Sequence, residues 1–146
     1  MTALPHEEND ESSVLAANTA FYEALESLTL AQMDSLWLHE EWVKCLHPGW
    51  DLLVGWEEIR RSWKQIFQST VRMLVAVTRA SAYVSGDTAW VSCLANITYA
   101  GRENFSTALV EATNIFVRRQ GQWLMVHHHT TALPHQGPTG ESTTVQ

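Results

Sequence analysis

The 146-residue sequence predicts an α+β fold in which three N-terminal helices pack on a strongly curved antiparallel sheet, and three features carry this reading. Apolar residues recur at helical spacing up to about residue 69. Beyond that point the period changes to alternation, in four long runs separated by turn residues. Helices first and hairpin-linked strands afterwards put the helices on one face of a single sheet.

The first eleven residues hold Glu7, Glu8, Asp10 and Glu11 and little that could be buried. An acidic flexible arm is therefore expected over 1–11, a single domain over 12–132, and a flexible tail over 133–146, where Pro134, Gly137, Pro138 and Gly140 accumulate. Val14, Ala17, Phe21, Leu25 and Leu28 predict a first helix from about Ser12 to Leu28. Thr29-x-x-Gln32 has the form of a capping box and suits a short second helix with Leu30, Met33, Leu36 and Trp37 inward. A short strand is expected over Glu41–Cys45, ended by the turn residues His47-Pro48-Gly49. The third helix is the clearest, with Trp56, Ile59, Trp63, Ile66 and Phe67 along one stripe and charged residues opposite.

Strands are predicted over Val71–Val84, Thr88–Tyr99, Phe105–Arg118 and Gln122–Thr131. The turns between them are Ser85-Gly86-Asp87, Gly101-Arg102-Glu103-Asn104 and Gln120-Gly121. Strands of about 12 residues span roughly 40 Å. So long a sheet must twist and curl, and its concave side can enclose a cavity under the helices.

Composition narrows the partners. The formal charge is −7, with 9 Lys+Arg against 16 Asp+Glu, which leaves no basic face for nucleic acid. No apolar run approaches the roughly 20 residues of a membrane span. The acidic start lacks the features of a secretory signal, and Cys45 and Cys93 read as buried free thiols, so a cytoplasmic location is expected.

The run His127-His128-His129 is the most informative motif. Alternation sends His127 and His129 to one face and His128 to the other. With Gln120-Gly121 as a two-residue turn, counting back along the hairpin sets Phe116 opposite Met125 and Asn114 opposite His127. Asn114, His127 and His129 are thus the expected polar contacts of a ligand pocket, with His127 and His129 the candidates for acid–base catalysis. Phe21, Tyr22, Trp56, Trp63 and Met125 are expected to form its wall. His-x-His could also hold a metal, but a third ligand from His39, Glu40 or His47 has no spacing support, so neither metal nor cofactor is expected. The four long strands carry one carboxylate, Glu111, of parity opposite to Asn114, and no nucleophile elbow is present.

Three stretches also carry a resemblance. They are Cys45-Leu46-His47-Pro48-Gly49-Trp50 with Gly55-Trp56-Glu57-Glu58-Ile59, then Ser85-Gly86-Asp87-Thr88-Ala89-Trp90-Val91, then Gly121 to Thr130. Over residues 13 to 132 the chain resembles the nuclear transport factor 2-like superfamily, which includes SnoaL-like and ketosteroid isomerase-like proteins. Its ending is also similar to the association domain of calcium/calmodulin-dependent protein kinase. The resemblance implies a cone-shaped fold, a pocket between sheet and helices, and assembly through the convex sheet face. The sequence departs from the isomerases in lacking an inward carboxylate, and from the kinase domain in having Asn114 where that domain has a pocket arginine.

The expected function is binding of a small apolar molecule, with no nucleic acid or membrane partner. A lyase or isomerase using a pocket histidine, and an assembly module with a vestigial pocket, are the alternatives. Leu124, Val126, Ile115 and Val117 face away from the helices in this reading, and the apolar patch they form predicts a homodimer.

Overall fold

A computed structural model describes residues 5–134. Helix α1 spans Pro5–Ser27, α2 Leu30–Asp34 and α3 Trp56–Ser69. The strands are β1 (Lys44–Leu46), β2 (Leu53–Val54), β3 (Arg72–Ser85), β4 (Thr88–Ala100), β5 (Phe105–Arg119) and β6 (Gln122–Ala132). They form one sheet in the order β2-β1-β6-β5-β4-β3, antiparallel except where β1 runs parallel to β6.

Helix α1 starts earlier than its apolar pattern suggests. The acidic stretch expected as part of a loose arm is helical from Pro5 onward, and Asp10 is tied to Arg118 of β5 at 2.8 Å. Residues 1–4 and most of the expected tail, 135–146, lie outside the described residues. Helix α2 begins where the capping-box pattern puts it, but Thr29 makes no side-chain cap bond; its hydroxyl donates to the Ser27 carbonyl instead. The short strand expected over Glu41–Cys45 lies further along, at Lys44–Leu46.

All three hairpin turns fall where the sequence puts them. At the last, Gln120 and Gly121 both have positive φ, the geometry of a type I′ turn, and Arg119 pairs with Gln122. Each of two strands carries one extra residue. Between Thr78 and Ser81 β3 gains a residue against β4, and β6 gains one at Val126, because Phe116 pairs with Met125 while Ile115 pairs with His127. Such bulges bend and twist a strand, which curves this sheet around the helices.

The core lies between the helices and the concave face. Val14, Phe21, Tyr22 and Leu25 of α1 and Ile59, Trp63 and Phe67 of α3 pack over Val91, Cys93, Ala112, Phe116 and Met125. On the outer face, Val117 and Val126 are already buried within the chain, so the apolar patch expected around them is displaced. The exposed apolar side chains there include Leu74, Tyr83, Trp90, Phe105 and Leu109, with the Tyr83 and Trp90 rings 4.6 Å apart. No described helix is long and apolar enough to cross a membrane.

Gly55 caps α3 with φ 94° and ψ 143°, a conformation that only glycine takes without strain. A Cβ there would also stand 3.4 Å from the Glu41 carbonyl oxygen. Gly55→Ala should therefore cost about 1–3 kcal/mol in urea unfolding. Gly121→Asn, in a turn that accepts asparagine at positive φ, should stay within about 0.5 kcal/mol of the parent.

Candidate functional site

A cavity of about 320 Å³ opens between α1, α3 and the concave face. Tyr22 and Leu25 come from α1, His47, Pro48 and Trp50 from the loop after β1, and Trp63 and Ile66 from α3. The sheet contributes Met73, Ile97, Tyr99, Ala108, Val110, His128 and Thr130. Trp50 and Tyr99 are partly exposed and mark the mouth. Among the described residues no Asp, Glu, Lys or Arg lines the cavity.

The polar residues at its wall belong to a buried hydrogen-bond network. His128 Nδ1 lies 2.6 Å from Asn114 Oδ1, and Asn114 Nδ2 donates to Asn18 Oδ1 at 2.8 Å and to the Tyr22 hydroxyl at 3.2 Å. An amide oxygen only accepts, so His128 carries its proton on Nδ1 and keeps a lone pair on Nε2. Nε2 has no hydrogen-bond partner among the described residues, yet the buried side-chain nitrogens left unpaired are those of Trp37 and Trp63 alone. It therefore reaches the open volume that His128 lines. Tyr22 and Asn18 lean on Cys93 Sγ at 3.7 and 3.8 Å.

His47 forms the other buried imidazole. Ser62 Oγ donates to the Ile59 carbonyl at 2.6 Å, so His47 Nε2, 2.8 Å away, donates to Ser62. Trp63 stands edge-on to the His47 ring at 4.6 Å, and Cys45 Sγ lies beside it. Burial pushes the His47 imidazole down to about 4. Burial, reinforced by His47, His127 and His129, holds His128 well below the ordinary imidazole range. Both are neutral at physiological pH. Burial raises the Tyr22 phenol and the Cys45 thiol, which stay protonated.

The register corrects the expected polar set. Asn114 pairs with His128, not with His127, and His127 and His129 stand on the outer face. Their rings are stacked 5.8 Å apart, and His127 pairs with Lys44 of β1. The cause is the bulge. The two-residue turn holds and Phe116 meets Met125, but the extra residue at Val126 reverses the parity of everything after it. A local sign of this was the unbroken apolar run Leu124-Met125-Val126, which interrupts alternation.

The expected wall residues divide. Tyr22 and Trp63 line the cavity, while Asn114 lies behind it, fully buried. Phe21 forms a second layer against Tyr22, Trp63 and His128. Met125 is core beside Trp37, and Trp56 faces a separate shallow groove, stacked on His39. The sequence reading missed His47 and Thr130 as lining residues and assigned His128 to the wrong face. Among the described residues no three His, Cys, Asp or Glu side chains gather as a metal site would require.

Comparison with known proteins places this arrangement. The model of the SnoaL-like domain family matches residues 14–134. A solved protein of the NTF2-like family from Streptomyces avermitilis, proposed to be a dehydratase, is 36% identical. That alignment covers 88% of this chain and 99% of the other, with a TM-score of 0.82. A protein from Thiobacillus denitrificans, proposed to be a calcium/calmodulin-dependent protein kinase type II association domain, is 28% identical. It aligns over 82% of this chain and 94% of its own length, with a TM-score of 0.71. The F-box protein SKIP8 of Arabidopsis thaliana is 30% identical over 121 residues, 83% of this chain, and the chain spans about half of that relative's length.

Neutral buried histidines make stability depend on pH. The unfolded chain takes up protons near the ordinary histidine pKa of about 6.5, and the folded chain does not until far lower. Stability is therefore full above about pH 6.5 and falls as pH drops toward about 4, where folded His47 titrates. Between about pH 7 and about pH 5 each such histidine should remove about 2 kcal/mol. His47→Gln, which retains a donor for Ser62, should flatten the slope measured by urea unfolding across that range.

Proposed function

This chain belongs to the SnoaL-like domain family, and on that footing we propose that it binds a small, neutral, mostly apolar molecule bearing a hydroxyl group. The observation that carries the reading is a cavity of about 320 Å³ whose described lining holds no charged side chain and includes the neutral His128 imidazole with Nε2 unpartnered. A charged ligand would lose its hydration there and find no counter-charge. A hydroxyl could donate to His128 Nε2 while accepting from Tyr22, whose proton has only the distant Cys93 sulfur as a partner.

A second reading, a lyase or isomerase with His128 as the base, draws support from the same free nitrogen, from Tyr22 lining the same cavity, and from the Streptomyces avermitilis relative proposed to be a dehydratase. Binding ranks first on physical grounds. Proton transfer is most efficient when the base titrates near the working pH, and burial holds His128 well below it. Among the described residues no carboxylate lines the cavity to raise it.

The probes are 2-naphthol and its methyl ether, alike in shape and differing in the donor. Equilibrium dialysis should show 2-naphthol binding about ten-fold tighter, the net worth of one hydrogen bond. The preference should vanish in His128→Ala and persist in His127→Ala. Equal affinities in the parent protein would refute the reading.

We also propose a homodimer through the outer sheet face, centred on Tyr83 and Trp90. Exposed large apolar side chains clustered on one face support it. Sedimentation should give a dimer at micromolar concentration, and Trp90→Glu, which puts a charge in the middle of the patch, should give a monomer.

A further inference from the structure

Asn114 presents an oxygen to His128 and a nitrogen to Asn18 and Tyr22, and the two ends of an amide have nearly the same shape. Something must choose which end points where. His128 cannot, because its proton can sit on either ring nitrogen and so match an oxygen or a nitrogen at Nδ1. Tyr22 cannot, because a hydroxyl donates as readily as it accepts. That leaves Asn18 Oδ1, 2.8 Å from Asn114 Nδ2. Turning Asn114 over would set two oxygens against each other at that distance, in a site where Asn18 is 2% and Asn114 0% exposed and no water can intervene.

We propose that Asn18, a residue of α1 that does not line the cavity, fixes the tautomer of His128 through Asn114 and thereby makes the cavity select ligands that donate a hydrogen bond. Asn18 is a positioning residue in this scheme, since it acts only through Asn114. The chain of contacts runs Cys93–Asn18–Asn114–His128, from the middle of β4 through α1 and β5 to β6. Its orientation at the far end rests on a single soft contact, from Asn18 Nδ2 to Cys93 Sγ at 3.8 Å. The thiol has one proton and two lone pairs, so it can accept from Asn18 Nδ2 and from the Tyr22 hydroxyl together but donate to only one of them, and this sets the end that Asn18 presents to Asn114. Removing Asn18 therefore frees Asn114 to turn, with the Tyr22 hydroxyl then able to donate to its oxygen. His128 would move its proton to Nε2 and offer the cavity a donor.

The selectivity half of this inference rests on the cavity being a binding site; the tautomer half does not. Long-range proton–nitrogen NMR on the unliganded protein near neutral pH reads the tautomer directly. The parent protein should show His128 protonated at Nδ1. In Asn18→Leu, close in size and without an acceptor, the ratio of the two tautomers should shift about ten-fold toward Nε2–H, the worth of the lost hydrogen bond. Asn18→Ala should shift it the same way and serves if the leucine variant does not fold. A parent protein protonated at Nε2, or a variant with an unchanged ratio, overturns the proposal. The preference for 2-naphthol over its methyl ether should narrow in step with the tautomer; a full preference in a variant whose tautomer has shifted overturns the selectivity half. If neither naphthalene binds the parent, the reading of the cavity falls, and the tautomer ratio alone decides whether Asn18 sets the imidazole.

Discussion

Strand β6 must serve two partners along one edge, and its side chains obey that constraint before any other. At Met125 the backbone exchanges hydrogen bonds with Leu36 and Leu38, and from His127 onward it pairs with β1. The extra residue at Val126 lies at the change of partner. Met125 before it and His128 after it both face the helices, which strict alternation would forbid. Had the strand kept strict alternation, the cavity would receive His127 and His129, and Asn114 would face His127 in place of His128.

Burial then sets the chemistry. His47 and His128 are enclosed among Trp63, Phe21 and the sheet, where an imidazolium would be desolvated and no described residue lining the cavity is a carboxylate. Each is instead neutral and oriented by a hydrogen bond at one ring nitrogen, His47 by Ser62 and His128 by Asn114. On the binding proposed above, a neutral, oriented imidazole selects by hydrogen-bond direction and not by charge.

The outer face follows different rules. His127 and His129 are side by side there next to Lys44, and partial burial, then the neighbouring His129 and that lysine, lower the His127 imidazole. One run of three histidines thus supplies one buried, tautomerically fixed ring and two that meet the surroundings of the sheet. Along the same face the row Tyr83, Trp90, Ile115, His127 crosses four paired strands, apolar for most of its width.

The sequence alone determined the architecture. Periodicity of 3.6 over Val14 to Phe67 and of 2 over Val71 to Thr131, with turn residues at three hairpins, leaves little choice but helices on one face of a curled antiparallel sheet. Which histidine enters, how early α1 begins and where the outer apolar patch lies were decided by tertiary contacts. Helix α1 reaches back to Pro5, and Asp10 in it makes an ion pair with Arg118, 108 residues away in the chain. The exposed patch centres on Trp90 because Val117 and Val126 are covered within the fold. The histidine parity turns on one residue inserted where β6 changes neighbours. Alternation is a local property that a sequence displays directly, but the place where a strand must depart from it depends on what lies along its other edge, and that exists only once the chain has folded.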